Sequence, residues 1–135
     1  MITRKTDYAI RCVLHLSESQ KEVVMLDEIA REREVPKSFL AKILQTLAKA
    51  GLVQSTRGKK GGFRLAKKAA DISLLDVVEA MEGPVAMNIC AVDKKKCGLS
   101  GTCGVHPVWV EIRADVEGRL RQTNFAELTA SKKAV

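Results

Sequence analysis

Between Pro36 and Leu65 the spacing of apolar residues changes from helical to alternating, and few folds accept that change in so short a stretch. Pro36 can open a helix, where its missing N–H is not needed, and Gly51 can close it. Between them Phe39, Leu40, Ile43, Leu44 and Leu47 predict an inward stripe. Leu52–Ser55 and Phe63–Leu65 then read as two short strands around a tip of glycine and cation, Thr56-Arg57-Gly58-Lys59-Lys60-Gly61-Gly62. Upstream, Ala9, Ile10, Val13, Leu14 and Leu16 predict a first helix over residues 3–18. Leu26, Ile29 and Ala30 predict a second, with Asp27 and Glu28 near its positive end. The Glu34-Val35 turn joins it to the third. A helix-turn-helix followed by a hairpin is a winged helix.

The charge of the chain sits on this unit. Of 23 Lys and Arg, nine fall between Lys37 and Lys68, and no Asp or Glu occurs from Val35 through Ala70. Without that stretch the 16 acidic residues outnumber the remaining bases, although the whole chain carries +7. A field focused in this way attracts a polyanion, and the surrounding shape fits a double-stranded DNA groove. Lys37, Ser38, Lys42, Gln45 and Lys49, with Ala41, face outward on the third helix. Ser38, Lys42 and Gln45 are the expected readers of major-groove edges. Arg57 and the adjoining Gly58 form the wing base, with Arg57 the candidate for a narrow minor groove. Lys59 and Lys60 are expected on phosphate. The full phosphate-loop pattern for nucleotides is missing. No apolar run is long enough to span a bilayer. Asp7, Arg11 and Glu18 rule out an ordinary secretory leader in the first twenty residues, so the expected location is cytoplasmic.

A second constellation follows a predicted helix at Ser73–Glu82 and the Gly83-Pro84 break. Cys90, Cys97 and Cys103 lie within fourteen residues, with His106 three further on. Thiolates hold iron–sulfur clusters, and Lys94, Lys95 and Lys96 would offset the negative charge of one. A metal-free thiol switch fits the same residues. Structural zinc prefers closer pairs, of which Cys103 and His106 are the single example. An enzyme using Cys103 and His106 would need a third orienting group and a pocket, which the sequence does not suggest. Cys12 is expected in the core, and His15 to be an ordinary helix residue.

Beyond the loop, Val108, Ile112, Val116 and Leu120 repeat every four residues among charges, predicting an amphipathic helix of about fifteen residues. A small winged helix does not need it for its own core, so its expected use is pairing in a homodimer that matches a palindromic operator. Gly118 inside it should cost ~1 kcal/mol against alanine, acceptable where two backbones approach. Asn124–Leu128 predicts a terminal turn that docks back, and Ser131–Val135 is expected to fray. The expected fold class is therefore mainly α: a winged helix-turn-helix with a small β-hairpin wing and a long C-terminal dimerisation helix. Its parts are a DNA-binding region (1–83), a cysteine-bearing sensor loop (84–106), and a dimerisation helix with tail (107–135).

The order of parts resembles the Rrf family of winged-helix transcriptional regulators, which includes iron–sulfur sensors. The resemblance rests on Thr6-Asp7-Tyr8-Ala9, Gly51-Leu52-Val53, Arg57-Gly58 with Gly61-Gly62, the three cysteines, and His106-Pro107 with Trp109. It implies a repressor, not an enzyme, whose operator binding is altered by a 2Fe–2S or 4Fe–4S cluster or its loss. Cys90, Cys97 and Cys103 match the family's ligands. His106 matches the fourth ligand of its iron–sulfur biogenesis regulator, and Asp7 the fourth ligand, from the other subunit, of its nitric oxide sensor. Cys90 and Cys97 stand one residue further apart than in those relatives. Ala41 and Lys42 also depart from the biogenesis regulator, so its operator sequence does not transfer.

Overall fold

The structure is a computed structural model that describes residues 2–59 and 61–131. Helix α1 (Arg4–Glu18) starts at Thr3, whose hydroxyl accepts a hydrogen bond from Thr6 N. Helices α2 (Leu26–Glu32) and α3 (Lys37–Lys49) are joined by a turn in which Glu34 takes a left-handed φ of 53°. Pro36 stands one residue ahead of α3 as its cap, because its extended ψ of 131° is not helical. At the other end Gly51, at φ 78°, turns the chain so that Gly51 N and Leu52 N donate to the carbonyls of Ala48 and Leu47, both at 3.0 Å.

Strands β1 (Val53–Thr56) and β2 (Gly62–Leu65) pair antiparallel, with Val53 opposite Leu65 and Thr56 opposite Gly62. A 3-10 turn (Ala69–Asp71) leads to α4 (Leu74–Glu82), held by a capping box in which Ser73 and Asp76 satisfy each other's backbone N–H. The short α5 (Ile89–Val92), a 3-10 turn (Lys94–Lys96), α6 (His106–Gln122) and α7 (Phe125–Ser131) complete the chain.

The core is aliphatic. Leu40, Ile43, Leu44 and Leu47 of α3 meet Ala9, Cys12 and Val13 of α1, with Ile29, Ile72 and Val77 around them. Phe125 is completely buried, so α7 belongs to the winged-helix core, where it packs on α1 and the Ala69–Asp71 turn. Phe125 N also donates to Ile72 O at 3.0 Å.

Phe39 departs from its expected place. It is 45% exposed, because it lies at the edge of the α3 stripe and tilts against the Tyr8 ring at 6.2 Å. Helix α6 contrasts with the rest: none of its 17 residues is buried, and Val108 and Val110 stand open to solvent. Residues 132–135, part of the tail expected to fray, lie outside the described residues.

Candidate nucleic-acid interface and cysteine site

Helix α3 turns its buried stripe to α1, which leaves Lys37, Ser38, Ala41, Lys42, Gln45 and Lys49 exposed on the opposite side. Lys37 is paired with Asp27 at 2.7 Å, and Thr46 Oγ1 donates to Lys42 O at 3.1 Å. Arg57, Gly58 and Lys59 continue the exposed face into the wing. Gly58 has φ 111°, a conformation side-chain-bearing residues rarely adopt, and its carbonyl accepts from Gly61 N at 2.9 Å to close the tip. Lys60, expected on phosphate, lies outside the described residues. On β2, Arg64 is occupied by Gln54 Oε1 at 3.1 Å and Glu22 at 3.9 Å.

The wing does not hang free. Val24 and Phe63 exchange both backbone hydrogen bonds at 2.8 Å, so the segment before α2 lines the outer edge of β2. A Cβ on Gly62 would collide with the Val24 carbonyl and stand 2.7 Å from Val23 Cγ1. Gly62 is therefore required by the close approach of two backbones. The spacing of Gly61-Gly62 suggests only a tight turn, and this tether has no alternating pattern to announce it.

The cysteine segment is a chain of tight turns. Cys90 is buried on α5, while Cys97 and Cys103 are half-buried, and all three are free thiols. Ser100 is buried at the centre, where its hydroxyl lies 2.9 Å from both Lys94 O and Cys97 O. Cys103 N donates to Leu99 O at 2.7 Å, and His106 N to Cys103 O at 3.3 Å. His106 opens α6, and its Nδ1 is buried with no hydrogen-bond partner. A buried ring nitrogen in that condition has a lone pair or proton to satisfy.

The sulfurs are not drawn into one tight group. Among the described residues the sole set of three metal-type ligands with atoms within 4.8 Å of one another is His15, Glu28 and Glu32. That set is already satisfied. Arg33 Nε donates to His15 Nδ1 at 3.1 Å, and the opposite nitrogen contacts Glu28 at 2.7 Å. His15 is thus a buried helix residue held by hydrogen bonds with Arg33 and Glu28. Hydrogen bonds from Lys21 and His15 hold the Glu28 carboxyl below the usual range. Cys12 is buried in the core, and desolvation pushes its thiol up to about 12, so it stays protonated.

Asp7 is not gathered with the cysteines. It pairs with Arg11 at 3.0 Å, and Arg11 also reaches Arg33 O at 3.2 Å and lies over the Tyr8 ring. Two residues the motifs do not reveal hold the cysteine segment and the helix that leads into it. Glu82, at the end of α4, accepts from Thr3 N at 3.0 Å and from the hydroxyls of Thr3 and Thr6 at 2.6 and 2.5 Å. Arg113, on α6, donates to Val85 O at 2.9 Å and Ala91 O at 2.7 Å. Long-range bonds from side chains to caps and carbonyls leave no periodic trace in a sequence.

No helix among the described residues is long and apolar enough to cross a membrane. The chain is 39% identical over 106 residues to Protein aau3 of Rhizobium meliloti, covering 78% of this chain and 69% of that protein. It is 30% identical over 135 residues to the HTH-type transcriptional regulator IscR of Vibrio vulnificus, covering 99% and 80%. The solved structure of CymR, the global cysteine regulator of B. subtilis, shares the fold with a TM-score of 0.79 at 24% identity, covering 97% of each chain. Residues 2–131 match the family described as Rrf2, iron-dependent transcriptional regulator. The winged helix, its cationic face and these matches agree: this chain belongs to the Rrf2 family of helix-turn-helix transcriptional regulators, which are not enzymes.

Proposed function

We propose that this chain is a cytoplasmic, homodimeric repressor that binds a palindromic operator, and that an iron–sulfur cluster on the cysteine segment modulates its binding. In this reading Lys37, Ser38, Lys42, Gln45, Arg57, Gly58, Lys59 and Lys60 form each half of the DNA face. The absence of any buried residue on α6 supports the dimer, because a 17-residue helix with open valines has apolar surface to cover. The segment 84–106 is then the sensor, and α6 the pairing element.

The donor chemistry fits the cluster. Three free thiols, Cys90, Cys97 and Cys103, lie on one anchored segment, and thiolates are the usual ligands of such clusters. The single observation that carries the reading is His106 Nδ1, buried and without a partner at the end of that segment. It favours His106 over Asp7 as the fourth ligand, since Asp7 would first have to release Arg11. When bound, the cluster would supply a site that oxygen or nitric oxide can degrade. The residues around it hold the thiols in place and link them to α6.

A tetrahedral zinc site would bring sulfurs to about 3.8 Å from one another, from bond lengths near 2.3 Å. The observed thiols are not gathered into such a group, so zinc would require the segment to rearrange. A cluster-free thiol switch is the second reading, supported by the three free thiols, two of them half-buried. Anaerobic iron and sulfide quantitation decides between them. The cluster reading expects both elements, with visible absorbance, in the wild type. It also expects their loss in Cys97→Ser with the dimer still folded. Colourless wild-type protein that retains DNA binding supports the thiol switch.

A further inference from the structure

We infer that Arg113 is a positioning residue that ties the Cys90 helix to α6, and that this tie carries the state of the cysteine segment to the pairing helix. The inference rests on the regulatory reading above and adds the residue through which it acts.

Helix α5 has four residues, too few to be stable alone, and the carbonyls at its C-terminal end have no intrahelical partner. Cys90 rides on it, buried. Two donors from one guanidinium fix this element. Arg113 Nε reaches Val85 O at 2.9 Å, at the start of the segment, and a terminal nitrogen reaches Ala91 O at 2.7 Å, next to Cys90. Glu117 aligns the fork from one turn below, 3.1 Å from Nε, and lies 3.8 Å from Arg121.

The guanidinium is partly sheltered, with Arg113 27% and Glu117 22% exposed. A planar fork can hold two carbonyls in fixed relation, which a lysine ammonium on a flexible stem cannot. Because Arg113 belongs to α6, any shift of α5 when Cys90 gains or loses a partner must either break these bonds or move α6. Just ahead of the segment, Glu82 holds the end of α4 against the start of α1.

The test uses the full chain as wild type, Arg113→Gln and Arg113→Lys. Each is reconstituted anaerobically with ferrous iron and sulfide, then stripped with a chelator. Three quantities are read: iron and sulfide per chain, operator affinity of the loaded and stripped forms by fluorescence anisotropy, and backbone hydrogen exchange over residues 85–93. In the stripped protein, losing both bonds should speed exchange over 85–93 about tenfold or more and leave α3 unchanged. Arg113→Gln should still take up iron and sulfide. Its ratio of loaded to stripped affinity should fall to within about twofold of one, with Arg113→Lys intermediate.

Faster exchange with a wild-type affinity ratio would overturn the coupling. A lost ratio with unchanged exchange would overturn the anchor. Should Arg113→Gln fail to fold, Arg113→Lys decides on the same two readouts, since it leaves at least one carbonyl without its donor. A wild type without cluster, or with equal affinities in both states, would sink the regulatory reading itself and this inference with it. Failure in the variants alone refutes only the role of Arg113.

Discussion

Four cations on the α3 and wing face, Lys42, Lys49, Arg57 and Lys59, are exposed and form no ion pair among the described residues. Lys37 and Arg64 are already matched to Asp27 and Glu22, so they release fewer counterions when DNA arrives. A two-fold pair therefore offers about eight unmatched charges to phosphate, and log affinity should fall against log salt with a slope near −7. Between 50 and 200 mM salt that is roughly a ten-thousand-fold loss. The assay is fluorescence anisotropy with a labelled promoter fragment at several salt concentrations. Lys59→Ala removes two of the eight charges per dimer and should flatten the slope to about −5.4. Lys94→Ala, exposed on the cysteine segment and away from this face, should leave it unchanged. A wild-type slope shallower than about −3, or one indifferent to Lys59→Ala, would refute the assignment of this face.

Gly62→Ala should cost about 1–3 kcal/mol in chemical denaturation and weaken operator binding, because its methyl meets the Val24 backbone, which cannot swing aside. Phe125→Ala should cost about 3–5 kcal/mol, measured by urea unfolding, since the ring is completely enclosed in the core. A loss typical of an exposed tail would show that α7 does not pack as described. Three hydrogen bonds from Thr3 and Thr6 lower the Glu82 pKa in the fold. Their stabilisation is present above the unfolded value of about 4.3 and is lost as pH falls through the lower folded value. Glu82→Gln should therefore lower the melting temperature at pH 7, and the gap to wild type should close in that acid window.

The winged helix is legible because its signals are local. Pro36 and Gly51 bracket α3, and the charges between its apolar residues fall on one side by helical geometry alone. Phe39 shows the limit of that reasoning, since spacing puts it beside the stripe but the Tyr8 ring decides where it rests. The wing was visible in its glycines and cations. Its tether at Val24 was not, because a bridge of a single residue pair has no alternation to detect. The cysteine segment was recognisable by composition, but its order was not. Ser100 and Arg113 shape it through bonds to backbone carbonyls, Glu82 ties the helix before it to Thr3 and Thr6, and such bonds depend on the fold being complete.

The most direct test takes one anaerobic sample and measures its operator affinity at fixed salt before and after the cluster is removed. A bound state that carries iron and sulfide, and whose affinity shifts about tenfold or more on stripping, is the expected result. Affinity that stays the same while the iron leaves would contradict the account, since the thiols would then be passengers on a DNA-binding protein they do not control.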